Sequence, residues 1–165
     1  MLLSKCKHDK VSIMSNIEIN RRSNCPISFT LDAFGDKWTL LILRDIMFYD
    51  RTRFSDFMPM ERVATNILAD RLSKLETMGM ITKERDPKLR NQFIYQATPV
   101  GQSLLPILIE MTLWGLEHDP KSLASKEFLE RAQDEKAKVA REIARAIKRG
   151  NFAAYRSEKM GINPK

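Results

Sequence analysis

Ala64-Thr65-Asn66-Ile67-Leu68-Ala69-Asp70-Arg71-Leu72-Ser73-Lys74-Leu75-Glu76-Thr77-Met78-Gly79, continuing into Met80-Ile81-Thr82-Lys83-Glu84-Arg85, is the stretch that decides the fold. From 64 to 78 the apolar residues recur with helical period. Ile67, Leu68, Leu72, Leu75 and Met78 share one side of a 100° wheel. Asn66, Ala69, Asp70, Ser73 and Thr77 take the other side, with Thr65 at the N-terminal edge, and Gly79 supplies the stop. The period then drops to two. Residues 81–85 and 93–98 read as strands around Asp86-Pro87-Lys88-Leu89-Arg90-Asn91, a hairpin with a basic tip.

Upstream, Asn24-Cys25-Pro26 opens a helix, because a proline at the first helical position loses no intrahelical bond. Ile27, Leu31 and Phe34 continue it as an apolar face, and Gly35 ends it. Asp36 caps a second helix carrying Trp38, Leu41, Ile42 and Ile46. Ser55 is the expected cap of a short third helix containing Pro59, with Phe54 as a hydrophobic staple. Residues 1–24 read as a flexible polar arm, in which Met14 offers an alternative start.

Downstream, Thr98 and Pro99 open a helix with Leu104, Leu105, Leu108, Met111 and Trp114, bent at Pro106. Asp119-Pro120 separates a last helix from Ser125 to Arg149, where Leu129, Ala132, Val139, Ile143 and Ala146 approximate a heptad before Gly150. A loose tail is expected after Phe152. The domain reading is therefore an arm at 1–24, a core at 25–118 and a helical extension at 119–165. The expected class is mainly α with a small β-hairpin (α+β).

Composition narrows the function. The 165 residues are 43% hydrophobic and 30% charged with a formal charge of +7, a globular balance with a basic surplus. Residues 121–165 hold twelve basic and six acidic side chains, whereas 101–120 hold no Lys or Arg and three acids. The surplus points to a polyanionic partner, although basic tails are common. No apolar run approaches the ~20 residues a membrane span requires, and no secretory leader is expected. Two cysteines, Cys6 and Cys25, fit a reducing cytoplasm.

Helix, helix, basic hairpin is the order of a winged helix-turn-helix, whose second helix enters the major groove. Thr65, Asn66, Ala69, Asp70 and Ser73 would then meet base edges. Arg51, Arg53, Arg71, Lys74, Lys83, Arg85, Lys88 and Arg90 would meet phosphates. On the residues alone a plainly solvated face and a merely soluble hairpin stay open. Arg71 can equally fix its helix by pairing with a carboxylate.

Several strings, taken in order, carry a family resemblance. Cys25-Pro26, Phe34-Gly35-Asp36-Lys37-Trp38-Thr39-Leu40-Leu41-Ile42-Leu43-Arg44 and Arg53-Phe54-Ser55-Asp56 are followed by Leu68-Ala69-Asp70-Arg71-Leu72, Gly79-Met80-Ile81, Tyr95, Thr98-Pro99-Val100-Gly101 and Trp114. Over about Cys25 to Trp114 the chain resembles the HxlR-type winged helix-turn-helix transcription regulators of the MarR-like superfamily. The resemblance implies a cytoplasmic homodimer binding pseudo-palindromic double-stranded DNA. The helix at Pro26 and the helix from Pro99 to Trp114 would form the dimer. It also implies a small-molecule or oxidant effector, with Cys25 as a redox sensor able to link subunits or bridge to Cys6. An inert cysteine at the dimer contact is the alternative. Where the family often has Gly and a capping Ser before the reading helix, this chain has Arg62 and Ala64, leaving Thr65 to cap. Asp70 would repel phosphate but can accept from a cytosine amino group.

Catalysis has poor support in the residues. His8 and His118 lack zinc-ligand spacing, and there is no phosphate-cradling glycine loop or nucleophile elbow. No cofactor or metal is expected. The rival reading is a non-catalytic protein- or RNA-interaction module using the same fold.

Overall fold

The computed structural model describes residues 23–61, 63–119, 121 and 124–162. Cys6, His8, Met14 and the rest of residues 1–22 lie outside them, as do Arg62 and Pro120. The described chain forms two compact units. One comprises the residues up to Ile46 with Arg51–Gln102; the other comprises Met47–Asp50 with the residues from Ser103 onward.

The first unit holds α1 (Pro26–Phe34), most of α2 (Thr39–Tyr49), α3 (Phe54–Glu61), α4 (Thr65–Thr77), the antiparallel strands β1 (Ile81–Arg85) and β2 (Phe93–Ala97), and a single turn, α5 (Pro99–Gln102). Strand register runs from Ile81 opposite Ala97 to Arg85 opposite Phe93. A short third edge is added where Tyr95 N donates to Thr52 O at 2.7 Å and Arg53 bridges Ile94. Leu43, Leu68, Leu72, Leu75, Met78, Met80 and Ile81 form the core.

Polar anchors fix the helices. Asp36 Oδ1 accepts from the N–H groups of Trp38 and Thr39 at 3.0 and 3.1 Å, so the expected cap of α2 is in place. In α3 the capping carboxylate is Asp56, not Ser55. Asp56 Oδ2 accepts from Arg53 N at 2.8 Å, because a side chain three residues inside a helix can reach back to its first free N–H. After the hairpin, Thr98 Oγ1 donates to Gly79 O at 2.6 Å and accepts from Gly101 N at 3.2 Å. A Cβ on Gly101 would fall 2.1 Å from Met80 O, so only glycine permits this approach.

The second unit contains α6 (Leu105–His118), α7 (Lys126–Asp134), α8 (Lys136–Lys148) and α9 (Phe152–Met160), with the last turn of α2. Phe48 and Phe152 meet edge to face at 4.8 Å, and Phe128, Val139, Ile143 and Met160 complete the interior. Ser125 caps α7 by accepting from Phe128 N at 3.2 Å.

Three expectations drawn from the sequence change here. Residues 99–114 are two helices interrupted at Ser103-Leu104. Pro106 opens the second helix rather than bending a continuous one, since its missing N–H is harmless in a first turn. The expected single helix from Ser125 to Arg149 breaks at Glu135 (φ −121°, ψ 36°). Arg131 and Glu142 therefore approach to 2.8 Å, although eleven residues of straight helix span about 16 Å. Phe128, not Leu129, becomes the buried anchor. Beyond Phe152 the chain is helical, not loose, because Phe152 and Met160 are both buried. Ile27 and Leu31 on α1 and Met111 and Trp114 on α6, the apolar faces of their helices, are exposed.

Candidate nucleic-acid interface

The residues around α4 divide as their period requires. Leu68, Leu72 and Leu75 are buried, while Thr65, Asn66, Ala69, Asp70 and Ser73 are all exposed. The helix starts from Ala64 in extended conformation without a side-chain cap. Thr65 is thus its first helical residue, not the cap the sequence suggested. The N–H groups of its first turn carry the positive end of the helix dipole.

Orientation of α4 comes from Asp36. Arg71 Nε lies 3.0 Å from Asp36 Oδ1, and Lys74 Nζ lies 4.0 Å from Oδ2 and 3.3 Å from Asp32 O. Arg71 also pairs with its neighbour Asp70, so the exposed acid on the solvent face of α4 has a cation beside it. Burial opposes ionisation of Asp36. The Thr39 hydroxyl, the two backbone N–H groups and Arg71 outweigh it and hold the carboxyl below its ordinary value. One carboxylate therefore caps α2 and anchors α4.

The eight basic residues singled out by sequence fall into two groups. Lys83, Arg85, Lys88 and Arg90 are exposed on the hairpin. Phe93 supports two of them: its ring centroid lies 4.5 Å from Lys83 Nζ and 5.9 Å from the Arg85 guanidinium carbon. By contrast, Arg51, Arg53, Arg71 and Lys74 are half-buried and held by carboxylates. Arg51 reaches the buried Asp45 at 3.2 Å. Arg53 Nε and Nη2 donate to Asp86 Oδ2 at 2.8 and 2.7 Å.

Asp86 braces this surface, a role its sequence context does not reveal. Its side chain is buried at the base of the turn, and Oδ1 accepts from Lys88 N and Leu89 N at 2.8 and 3.2 Å. Those bonds, the Lys88 N–H foremost, and the Arg53 guanidinium hold its carboxyl below the ordinary range. Asp-Pro reads locally as a turn. Its pairing with an arginine thirty-three positions earlier leaves no periodic trace.

Cys25 is exposed at the residue preceding α1, its N–H donating to Ser23 Oγ at 3.2 Å. Its expected bridge to Cys6 lies outside the described residues. Among the described residues no group of three or more His, Cys, Asp or Glu side chains is arranged to hold a metal, and no helix is long and apolar enough to cross a membrane.

A two-helix motif with its second helix exposed, followed by a basic hairpin, defines the winged helix-turn-helix class. The profile described as HxlR-like helix-turn-helix matches residues 33–123, more than half of the chain. The uncharacterized HTH-type transcriptional regulator YybR of Bacillus subtilis (strain 168) is 31% identical over 110 residues, covering 64% of this chain and 83% of its own. The crystal structure of PA1607 superposes with a TM-score of 0.56 at 31% identity, covering 65% of this chain and 78% of that one. A protein of Porphyromonas gingivalis W83 described as MarR family gives 0.52 at 30% identity, covering 58% and 94%. The chain belongs to the HxlR-like helix-turn-helix family, whose members are DNA-binding regulators rather than enzymes.

Proposed function

We propose that this protein is a sequence-specific transcription regulator that grips a pseudo-palindromic operator as a homodimer. The observation that carries the reading is the chemistry of the exposed face of α4. Thr65, Asn66, Ala69, Asp70 and Ser73 are all exposed along one side of the helix, and all but Ala69 carry a small hydrogen-bonding side chain, with Thr65 and Asn66 in the first turn at the positive end of the dipole. In this reading they contact base edges. Lys83, Arg85, Lys88 and Arg90 contact phosphates, and Arg51, Arg53, Arg71 and Lys74 combine phosphate contact with bracing of the motif. Two-fold symmetry would set half-sites about 10 bp apart, or a multiple of that.

Dimerisation is supported by apolar surface. Ile27 and Leu31 stand one turn apart on α1, 70% and 55% exposed. Ile107, Met111 and Trp114 form a second stripe on α6, with Trp114 63% exposed. Such stripes favour a partner surface over water. Cys25, exposed beside α1, is suited to report oxidation at that contact. Cys25→Ser should then bind DNA yet ignore diamide.

The decisive test titrates duplex DNA from upstream of the protein's own coding region at two salt concentrations. Sequence-selective, salt-sensitive binding weakened by Asn66→Ala supports the regulator. Absence of selective binding supports the protein- or RNA-interaction module instead.

A further inference from the structure

We propose that the corner between α8 and α9 is a binding site for a small organic phosphate. The inference goes beyond DNA binding and does not rest on it, because the site lies wholly within the second unit and outside the residues the family profile matches. A hollow of about 300 Å³ opens there, the lower end of the range for small-molecule pockets. Four cations, Arg131, Arg145, Arg149 and Lys159, line it against a single carboxylate, Glu142.

That carboxylate is already committed. Arg131 Nη2 donates to Glu142 Oε2 at 2.8 Å and to the Tyr155 hydroxyl at 3.3 Å, while Tyr155 Oη donates to Glu142 Oε2 at 3.1 Å. Burial and the neighbouring Glu142 push the Tyr155 hydroxyl up to about 12, so it adds no negative charge. The triangle forms one wall of the hollow. Arg145, Arg149 and Lys159 are left around the hollow with no acidic partner among the described residues. Arg145 donates Nε to the Arg141 carbonyl of its own helix at 3.3 Å, leaving its terminal nitrogens uncommitted.

Like charges gathered on a concave surface repel each other, and water screens them less well there than on a convex one. A dianion relieves that repulsion, and guanidinium forks match phosphate oxygens in pairs. Asn151, immediately before α9, also lines the hollow, and its side chain does not cap the helix. It can serve a sugar hydroxyl. The Tyr155 ring, stacked on Phe152 at 6.5 Å, offers a flat apolar flank. Charge, volume and donors together describe a phosphorylated sugar-sized molecule better than an apolar effector.

The test is isothermal titration calorimetry and thermal-shift measurement on the full chain with ribose 5-phosphate, inorganic phosphate and ribose at constant ionic strength. Ribose 5-phosphate should bind and raise the unfolding temperature; ribose should do neither. Arg145→Gln with Arg149→Gln should weaken binding at least tenfold with an unchanged circular dichroism spectrum. Lys88→Gln, on the hairpin, should leave it unchanged. Three results would overturn the proposal: no binding of either phosphate at 10 mM, equal binding by the double variant, or equal stabilisation by chloride. A fourth would as well. If the double variant lost affinity for duplex DNA but not for ribose 5-phosphate, these cations would belong to a nucleic-acid surface.

Discussion

Helices α4 and α6 both leave one face in solvent, but the two faces have opposite chemistry. The exposed residues of α4 include Thr65, Asn66, Ala69, Asp70 and Ser73; on α6 Ile107, Met111 and Trp114 are spaced to form one apolar stripe, flanked by the exposed Glu110 and Glu117. Water solvates the first face at little cost, so its exposure is stable in a free chain. The second loses free energy for every square ångström left wet, at about 25 cal/mol. Exposure alone therefore says little. The polar face suits a ligand that offers hydrogen bonds, and the apolar face suits a protein surface.

The largest effect should separate the buried side of α4 from its exposed side. Leu75 is fully buried, and Leu75→Ala should cost about 2–5 kcal/mol in chemical denaturation. Ser73→Ala, two residues away on the solvent face, should stay within about 0.5 kcal/mol. Equal losses would mean that the helix is not divided as described.

Next in size is the apolar stripe. Trp114→Ala should shift sedimentation from dimer to monomer, weakening association about 30-fold or more, the ~2 kcal/mol of a central aromatic anchor. Its counterpart on the polar helix is Asn66→Ala. That variant should reduce discrimination between operator and scrambled duplex by about 1–3 kcal/mol in competition binding, with an unchanged melting temperature. If Trp114→Ala left the mass unchanged while Asn66→Ala dissociated the protein, the assignments of the two faces would be reversed.

How much of this was legible in sequence follows from the range of each interaction. Both faces of α4 and the hairpin strands 81–85 and 93–97 repeat with a local period, so side-chain order alone reveals them. Asp36 as a cap is local too, but its second task, holding Arg71, joins positions thirty-five residues apart. The Arg53–Asp86 pair is equally non-local. Ile27, Leu31, Met111 and Trp114 are a different case: helical periodicity marks a face as apolar without saying whether one chain or two must cover it. The break at Glu135 has no glycine or proline to announce it.

The smallest effect at neutral pH distinguishes a cation on the hairpin from one that braces it from outside. Lys88 is exposed, and Lys88→Ala should lower the slope of log affinity against log salt by about 0.9, the release of one counterion, with the hairpin intact. Arg53 is tied to Asp86, so Arg53→Ala should instead loosen the turn, seen as faster amide exchange at Lys88 and Leu89. The Asp86 carboxyl is held below its ordinary value, first by the Lys88 N–H and then by Arg53. A depressed folded value means that its contribution is complete above the unfolded value of about 3.9 and is lost as pH falls through the lower one. Protection factors at Lys88 and Leu89 should therefore stay level from pH 7 to about 4.5 and decline only in stronger acid. A decline already at pH 6 would place the control of the hairpin on some other group. The contrast between a cation that binds and a cation that braces would then fail.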